Sequence, residues 1–343
     1  MERPRALATW WGGVVARRPW AFIAGWALLV AALAVLASGT SRLLSPAGFE
    51  TDTEASRAAA VLRQQFPERQ DPVLTVVLQS DRVPVADPGY QAQAGAWRAD
   101  LERLVGAGGV VQGPLPGRDG RTAALVVSSN EPPDHFIELG RRAARISHPG
   151  PARVLVGGFG AVYDSFIEES ERDLQQSERL SVPIALALLL LVFGGLVAGL
   201  LPVLTGLASV TVAVALLGLA ARLHTVSVFS LNITSVVGLG LGIDYSLLIV
   251  NRFREELRRG RRVDAAVAAT VGTAGLSTVV SGGTVAIGFG ALTLSRLNVL
   301  WSIGAGGAIV VAVSVLASLT LIPALLAVFG RHVDRLSLPF ARS

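Results

Sequence analysis

The chain has 343 residues, of which 51% are hydrophobic and only 16% charged, against roughly 25% charged in soluble domains; with a mean hydropathy of +0.54 the composition points away from a purely soluble fold. It has no cysteine, which excludes disulfide scaffolds, zinc ribbons and thiol catalysis, and His135, His148, His224 and His332 are scattered without metal-ligand spacing. All 30 basic residues are arginine and the net charge is +5, a balance that elsewhere suggests nucleic acid, so the positions of the arginines carry the argument.

A hydrocarbon layer ~30 Å thick needs about 20 apolar residues per crossing helix. The first such stretch is Trp20 to Ser38. Arg17 and Arg18 before it imitate a signal peptide, but the apolar core is nearly as long as a full span. Arg42 follows it rather than a small-residue cleavage site, so an uncleaved helix is expected. Trp10, Trp11 and Trp20 suit an interfacial belt.

Residues Thr40 to Leu180 read as a compact α+β domain. Thr53 to Phe66 has helical periodicity, Pro72 to Leu78 alternates as a strand, Tyr90 to Val105 is amphipathic helix, and Thr122 to Val127 is a second apolar strand. A helix over Asp134 to Ile146 and a strand over Arg153 to Val156 follow. That order is βαββαβ-like with an extra leading helix, a small split-βαβ, ferredoxin-like domain. Tyr163 to Leu180, with Glu168, Glu169, Glu171, Asp173 and Glu178, is expected to run as a helix into the next span, its acidity a solvated face. Phe159, Tyr163, Phe166 and Trp97 are candidates to line an apolar cargo site, but aromatics so placed are more often core, so no substrate residue is assigned.

Five further spans follow: Val182 to Leu200, Pro202 to Ala220, Asn232 to Val250, Thr270 to Leu292 and Val299 to Leu321. Arginine placement orients them, because basic residues near span ends stay cytoplasmic. Arg3, Arg5, Arg17 and Arg18 precede the first span, Arg252, Arg254, Arg258, Arg259, Arg261 and Arg262 separate the fourth from the fifth, and Arg331, Arg335 and Arg342 follow the sixth. The opposite short loops hold only Arg222 and Arg296. Both termini are therefore expected in the cytoplasm and Thr40 to Leu180 outside, the alternative for the basic runs being a polyanion-binding patch. The expected divisions are 1–39 (N-terminus and first span), 40–180 (external domain), 181–330 (the other five spans, with an arginine-rich loop over 251–269) and a cytoplasmic tail over 331–343.

Asp244 is out of place near the middle of the fourth span. An aspartate at a helix centre costs ~2.5–3.5 kcal/mol on insertion scales, so it is neutral, paired or wetted. It serves either as a protonated packing contact or as a proton-binding site, in which burial favours the protonated form and an approaching polar or aqueous partner the ionised one. Tyr245 supplies a hydroxyl that gates or relays, or else lines the span, since adjacent helical residues point about 100° apart. In the fifth span Thr273, Ser277, Ser281, Thr284 and Gly288 draw one polar, small-residue stripe that either carries water past Asp244 or bonds back to its own helix and packs. Gly238, Gly240 and Gly242 sit within an apolar span, which argues against a dinucleotide fingerprint. Gly240, four residues before Asp244, lets a helix or water approach the carboxylate. The chain holds no Walker loop.

Four segments resemble one half of a transporter of the resistance-nodulation-division superfamily, within it the mycobacterial membrane protein large (MMPL) family. They are LVFGGLVAGLLPVL (Leu191–Leu204), GLGLGIDYSLLIVNRFREEL (Gly238–Leu257), TAGLSTVVSGGTVA (Thr273–Ala286) and LTLIPALLAVFG (Leu319–Gly330). The external segment VGGFGAVYDSFIEESERDLQQSE (Val156–Glu178) adds to them. The resemblance implies a non-enzymatic exporter of lipids or lipophilic compounds across the cytoplasmic membrane, driven by the proton gradient with no cofactor. In it Asp244 and Tyr245 match the family's proton-coupling pair, Ser281 its fifth-span serine, and the external domain its porter domain. The implied fold is a membrane all-α bundle of six transmembrane helices with an extracytoplasmic α+β porter domain.

Leu276 stands where the fifth-span motif usually has arginine. Family members also hold two such halves in tandem, so Asp244 has no family-type partner within this chain. The chain then forms a homodimer, pairs with a separately encoded second half, or is a truncated piece. In a homodimer two Asp244 carboxylates would meet and at least one would retain its proton. Expected partners are membrane lipids and a lipophilic substrate, with no nucleic acid. Two other classes stay open: a SecD/SecF-like accessory of protein export, and a non-pumping lipid sensor.

Overall fold

The computed structural model describes residues 2–44, 71–129, 133–193 and 195–334, with isolated positions between 54 and 65. Two compact units result, one from Met1–Phe49 with Asp173–Ser343, the other from Glu50–Arg172. The helix expected over Thr53 to Phe66 lies mostly outside the described residues.

The second unit is an antiparallel sheet covered by two helices. Strands β1 (Asp71–Gln79), β2 (Gly109–Pro116), β3 (Thr122–Ser129) and β4 (Arg153–Gly157) lie in the order β2-β3-β1-β4, every pairing antiparallel. In chain order, α3 (Pro88–Val105) joins β1 to β2 and α4 (Pro133–Ala144) joins β3 to β4, the labels α1 and α2 belonging to earlier helices below. Strand alternation sends Leu74, Val76 and Leu78 of β1 and Ala123, Leu125 and Val127 of β3 inward, where they pack with Tyr90, Trp97 and Leu101 of α3. Each such large side chain contributes about 1.5–3 kcal/mol by leaving water.

Helix α3 begins where it does because Pro88 needs no N–H partner and Asp87 accepts from Gly89 N at 2.8 Å and Tyr90 N at 3.1 Å. Gln93 fastens it to the loop before β4, donating to the His148 and Ala152 carbonyls, both at 3.0 Å. Strand β2 was not assigned from the sequence because Gly109, Gly113, Pro114 and Pro116 break its pattern. Its ladder shifts register between Gln112 and Leu115, where Gly113 has φ of +110° and a Cβ would lie 2.5 Å from the Ala124 carbonyl oxygen.

The first unit is helical. It holds α1 (Glu2–Arg17), α2 (Pro19–Ser38), the apolar end of α5 (Phe159–Phe193), α6 (Leu196–Ala221), α7 (Phe229–Arg258), α8 (Val263–Thr270), a π-helical turn over Val271–Gly275, α9 (Leu276–Leu292) and α10 (Asn298–Phe329). Helix α10 is the hub, packing on α2, α6, α7 and α9. Trp26 Nε1 donates to Thr320 Oγ1 at 2.9 Å, tying α2 to it.

Among the described residues, five helical stretches are long and apolar enough to cross a membrane: Pro19–Ser38, Leu196–Ala221, Phe229–Arg258, Val263–Leu292 and Asn298–His332. The sequence reading expected six. The stretch expected over Val182 to Leu200 is divided: its first part is a shorter apolar helix, Arg179–Leu191, and Leu196 already begins α6. Helix α5 ends at Phe193 and α6 begins at Leu196 with Gly195 as its N-cap, so α6 starts before Pro202 rather than at it, glycine being a ready place for a helix to begin anew. The arginine-rich stretch 251–269 is helical except around Arg259–Arg262. Pairs spaced at i,i+3 and i,i+4, such as Arg252–Glu256 at 2.6 Å and Arg259–Glu255 at 2.5 Å, carry α7 beyond the apolar stretch.

Candidate functional site

Asp244 lies on the exposed face of α7, in line with Val236, Gly240 and Leu248. Successive exposed positions four apart form a stripe along the helix. No atom lies within 4 Å of a Cβ placed on Gly240, so the approach to the carboxylate from that side is open. The two flanking glycines face inward instead: a Cβ on Gly242 would lie 2.6 Å from Gly206 Cα, and one on Gly238 would strike Val310. The three glycines therefore divide into one that bares the aspartate and two that let α6 and α10 approach.

Tyr245 points the other way. It is 5% exposed, and its hydroxyl has no hydrogen-bond partner among the described residues. It reaches towards α9, where a Cβ on Gly282 would lie 3.5 Å from Tyr245 Oη. The structure thus does not bring the adjacent Asp244 and Tyr245 side chains together, as the 100° helical step requires.

On α9 the polar stripe is real as a surface: Ser277, Ser281, Thr284 and Gly288 are all exposed. Its hydroxyls also bond backwards along the helix, Thr273 to the Ala269 carbonyl at 2.8 Å, Ser277 to the Thr273 carbonyl at 3.4 Å and Thr284 to the Val280 carbonyl at 3.0 Å. The packing reading of the stripe is thus seen in these back-bonds, and back-bonding still leaves an oxygen lone pair of each hydroxyl facing outward. Asp244 and Ser281 are therefore both surface groups of two helices that pack on the common hub α10, with Tyr245 and Gly282 between them.

Two features escaped the sequence reading. Ser314 and Ser318, four apart on α10, are buried with hydroxyls that have no partner among the described residues; their spacing in an apolar helix was the available signal. Near the arginine-rich end of α7 lies an open cavity of about 430 Å³ lined by Arg5, Asn251, Arg252, Glu255, Thr273 and Ser277 together with apolar side chains. No sequence pattern announces it, since its walls come from residues far apart in the chain. Among the aromatic candidates for cargo, Trp97 is core at 2% exposure, Phe159 is 40% exposed and meets Phe136 edge to face, and the side chains of Tyr163 and Phe166 lie outside the described residues. Among the described residues no cluster of His, Asp and Glu suits a metal ion.

The MMPL family model matches residues 47–338. The probable transport protein MmpL11 of Mycobacterium leprae is 34% identical over 91% of this chain and 32% of its own length. The mycolic acid-containing lipids exporter MmpL11 of Mycolicibacterium smegmatis is 33% identical over 93% of this chain and 34% of its own length. The chain thus spans about a third of these relatives. Among solved structures, SecDF of Thermus thermophilus, a translocon-associated membrane protein, aligns with a TM-score of 0.51 at 16% identity, covering 93% of this chain and 38% of that one, a likeness of fold.

Proposed function

Because the chain belongs to the MMPL family, a family of membrane transporters rather than enzymes, we propose that it is one half of a proton-driven exporter of lipids or lipophilic compounds. In this reading six helices cross the cytoplasmic membrane, the apolar end of α5 making the second crossing, and both termini are cytoplasmic. The β-α-β-β-α-β unit is the external, ferredoxin-like porter domain. Asp244 is the proton carrier, Ser281 a polar element of its path, and Tyr245 a gate whose hydroxyl acts from the α9 side. No cofactor takes part.

One observation carries the reading: Asp244 is exposed on the flank of a 30-residue apolar helix, opposite the glycines that pack that helix into its bundle. An ionised carboxylate facing lipid there is untenable, so the face is covered by a second half or a second copy, and the proton becomes the switch. Protonation neutralises the aspartate and permits the two halves to rock; release into water on the other side restores the charge.

The test uses proteoliposomes holding the chain, an imposed pH gradient and a fluorescent phospholipid analogue whose transbilayer movement is followed. Gradient-dependent movement is expected, with a loss of tenfold or more in Asp244→Asn. Undiminished gradient dependence in that variant overturns the assignment. The likeness to SecDF favours one second reading, an accessory subunit of protein export; enhanced export of a secreted reporter, with no lipid movement, is the result that selects it.

A further inference from the structure

The cavity at the basic end of α7 continues the Asp244 face. One turn beyond Asp244, about 6 Å at 1.5 Å per residue, Leu248 borders it, and further turns bring in Asn251, Arg252 and Glu255. On α9 and the π-helical turn, Ser277 and Thr273 border it in the same sense from Ser281. Its 430 Å³, bounded by Arg5, Asn251, Arg252, Glu255, Thr273 and Ser277 beside the apolar Leu248, Ala274 and Leu276, has room for on the order of ten waters, with polar partners along part of the wall. The face on which the proposed proton carrier sits therefore opens, within one helical turn, into a space suited to water.

The charges around that space are unequal in their freedom. Arg252 is held by Glu255 at 2.6 Å and by the buried Glu256 at 2.6 Å. Those two carboxylates are shared in turn by Arg259, at 2.5 Å and 2.9 Å, and Glu256 also by Arg261 at 3.0 Å. The cavity wall from α9 and the π-helical turn offers Thr273, Ala274, Leu276 and Ser277, with no charge. On the cavity wall Arg252 and Glu255 offset each other, and the wider set of Arg252, Arg259 and Arg261 against Glu255 and Glu256 is net positive by one. Arg5 of α1 is exposed and stands in none of these pairs, so it adds a further positive charge at the opening.

Its position is built in. Thr9 Oγ1 donates to the Arg5 carbonyl at 2.8 Å, and one turn on, α1 lies against the α8 and π-helical backbone. A Cβ on Gly12 would be 2.9 Å from Ala268 Cα, and one on Gly272 would strike Thr9. Trp11 Nε1 donates to the Leu319 carbonyl at 3.2 Å. Glycine at two facing positions fixes α1 at backbone distance, and this fixes where Arg5 emerges.

We propose that this cavity is the cytoplasmic water mouth of the Asp244 path and that Arg5 is its electrostatic gate, a positioning residue that repels cations and so opposes return of protons from the cytoplasm. The inference rests on Asp244 as proton carrier and on cytoplasmic termini. A fixed positive charge beside the opening lowers the local cation concentration, which makes release from Asp244 easier than reprotonation from the same side.

The absence of cysteine makes the test direct. Ser277→Cys is placed in the full chain, with and without Asp244→Asn, and inside-out membrane vesicles are treated with impermeant anionic and cationic methanethiosulfonates. Modification from the cytoplasmic face is expected, with the anionic reagent favoured over its ratio on a free thiol. Arg5→Gln should lower that ratio about threefold or more, and Arg5→Lys should keep it. An unreactive Ser277→Cys, or a ratio indifferent to Arg5, overturns the inference. Labelling reads the mouth whether or not Asp244 carries the proton, whereas gradient-dependent transport retained by Asp244→Asn overturns the reading beneath it. In transport, Arg5→Gln should be inhibited by cytoplasmic acid at a pH about half a unit higher than the parent chain, a shift that a merely structural role of α1 does not produce.

Discussion

At the residue scale, the three glycines before Asp244 show how one amino acid serves opposite ends. Gly242 and Gly238 are contact positions, and Gly240 faces open space. Gly242→Leu should therefore force α6 and α7 apart and lower stability by about 1–3 kcal/mol, the usual range for overpacking. Gly240→Ala should leave melting in detergent unchanged or slightly raised, since alanine is the better helix former. Equal melting of the two variants would show that α7 does not cross α6 at Gly242. In the other unit, Asp100 is held below the ordinary carboxylate range chiefly by its hydrogen bond with His148, at 2.8 Å, with Arg103 adding to it. A carboxyl whose folded value is depressed contributes stability that is present above the unfolded value of ~3.9 and lost as pH falls through the folded one. The stability gap between the parent chain and Asp100→Asn should thus be present at pH 5 and begin to close below about pH 4, read as urea midpoints. A gap unchanged at pH 3 would contradict the pairing.

At the element scale, Glu256 organises the end of α7. It is 1% exposed and is reached by Arg252, Arg259 and Arg261, while the Arg261 amide donates to its carbonyl at 3.3 Å. These bonds turn the chain from α7 into α8 within a few residues. Because the guanidinium groups remain partly exposed, removing the carboxylate costs less than breaking a fully buried pair; Glu256→Ala should lower stability by on the order of 1–3 kcal/mol. It should also make the Arg258–Arg262 segment the first site cut by trypsin in detergent-solubilised protein. Unchanged melting together with unchanged proteolysis would mean that the turn is held by packing alone. The π-helical turn over Val271–Gly275 widens the helix ahead of α9, and so helps set how Thr273 is registered against the α9 hydroxyls.

At the scale of the whole molecule, the exposed flank holding Asp244 is apolar enough to sit in a membrane and polar enough to need covering. A second copy and a distinct second half are separable because the chain has no cysteine. If a second copy covers the flank, Gly240→Cys should give an oxidative dimer at twice the chain mass in membranes. Ala269→Cys, on the short helix α8 that packs on α1, should not. Failure of Gly240→Cys to cross-link with itself, with recovery in a heterologous adduct, would assign the covering face to a separate chain.

Much of this protein was legible in its amino-acid order. Apolar length marks most of the spans, the period-two alternation marks β1 and β3, and a single carboxylate stands out because insertion of charge is so costly. Strand β2 was not legible, since its glycines and prolines obey a bulge that exists only once β3 is beside it. The start of α6 at Leu196, after Gly195, was not legible because hydrophobicity is continuous across it and so does not mark where one helix gives way to the next. Face assignment was the deepest gap. In a helix apolar all round, hydrophobic periodicity vanishes, so the sequence could place Asp244, Ser281 and Tyr245 within apolar stretches long enough to cross a membrane but not on a face. Only tertiary packing decided that the first two face outward and the third inward, through glycines at which neighbouring backbones meet. The cavity beside Arg5 likewise required residues 5, 251 and 277 to be brought together, which no local pattern encodes, because its walls are contacts between helices rather than features of any one of them.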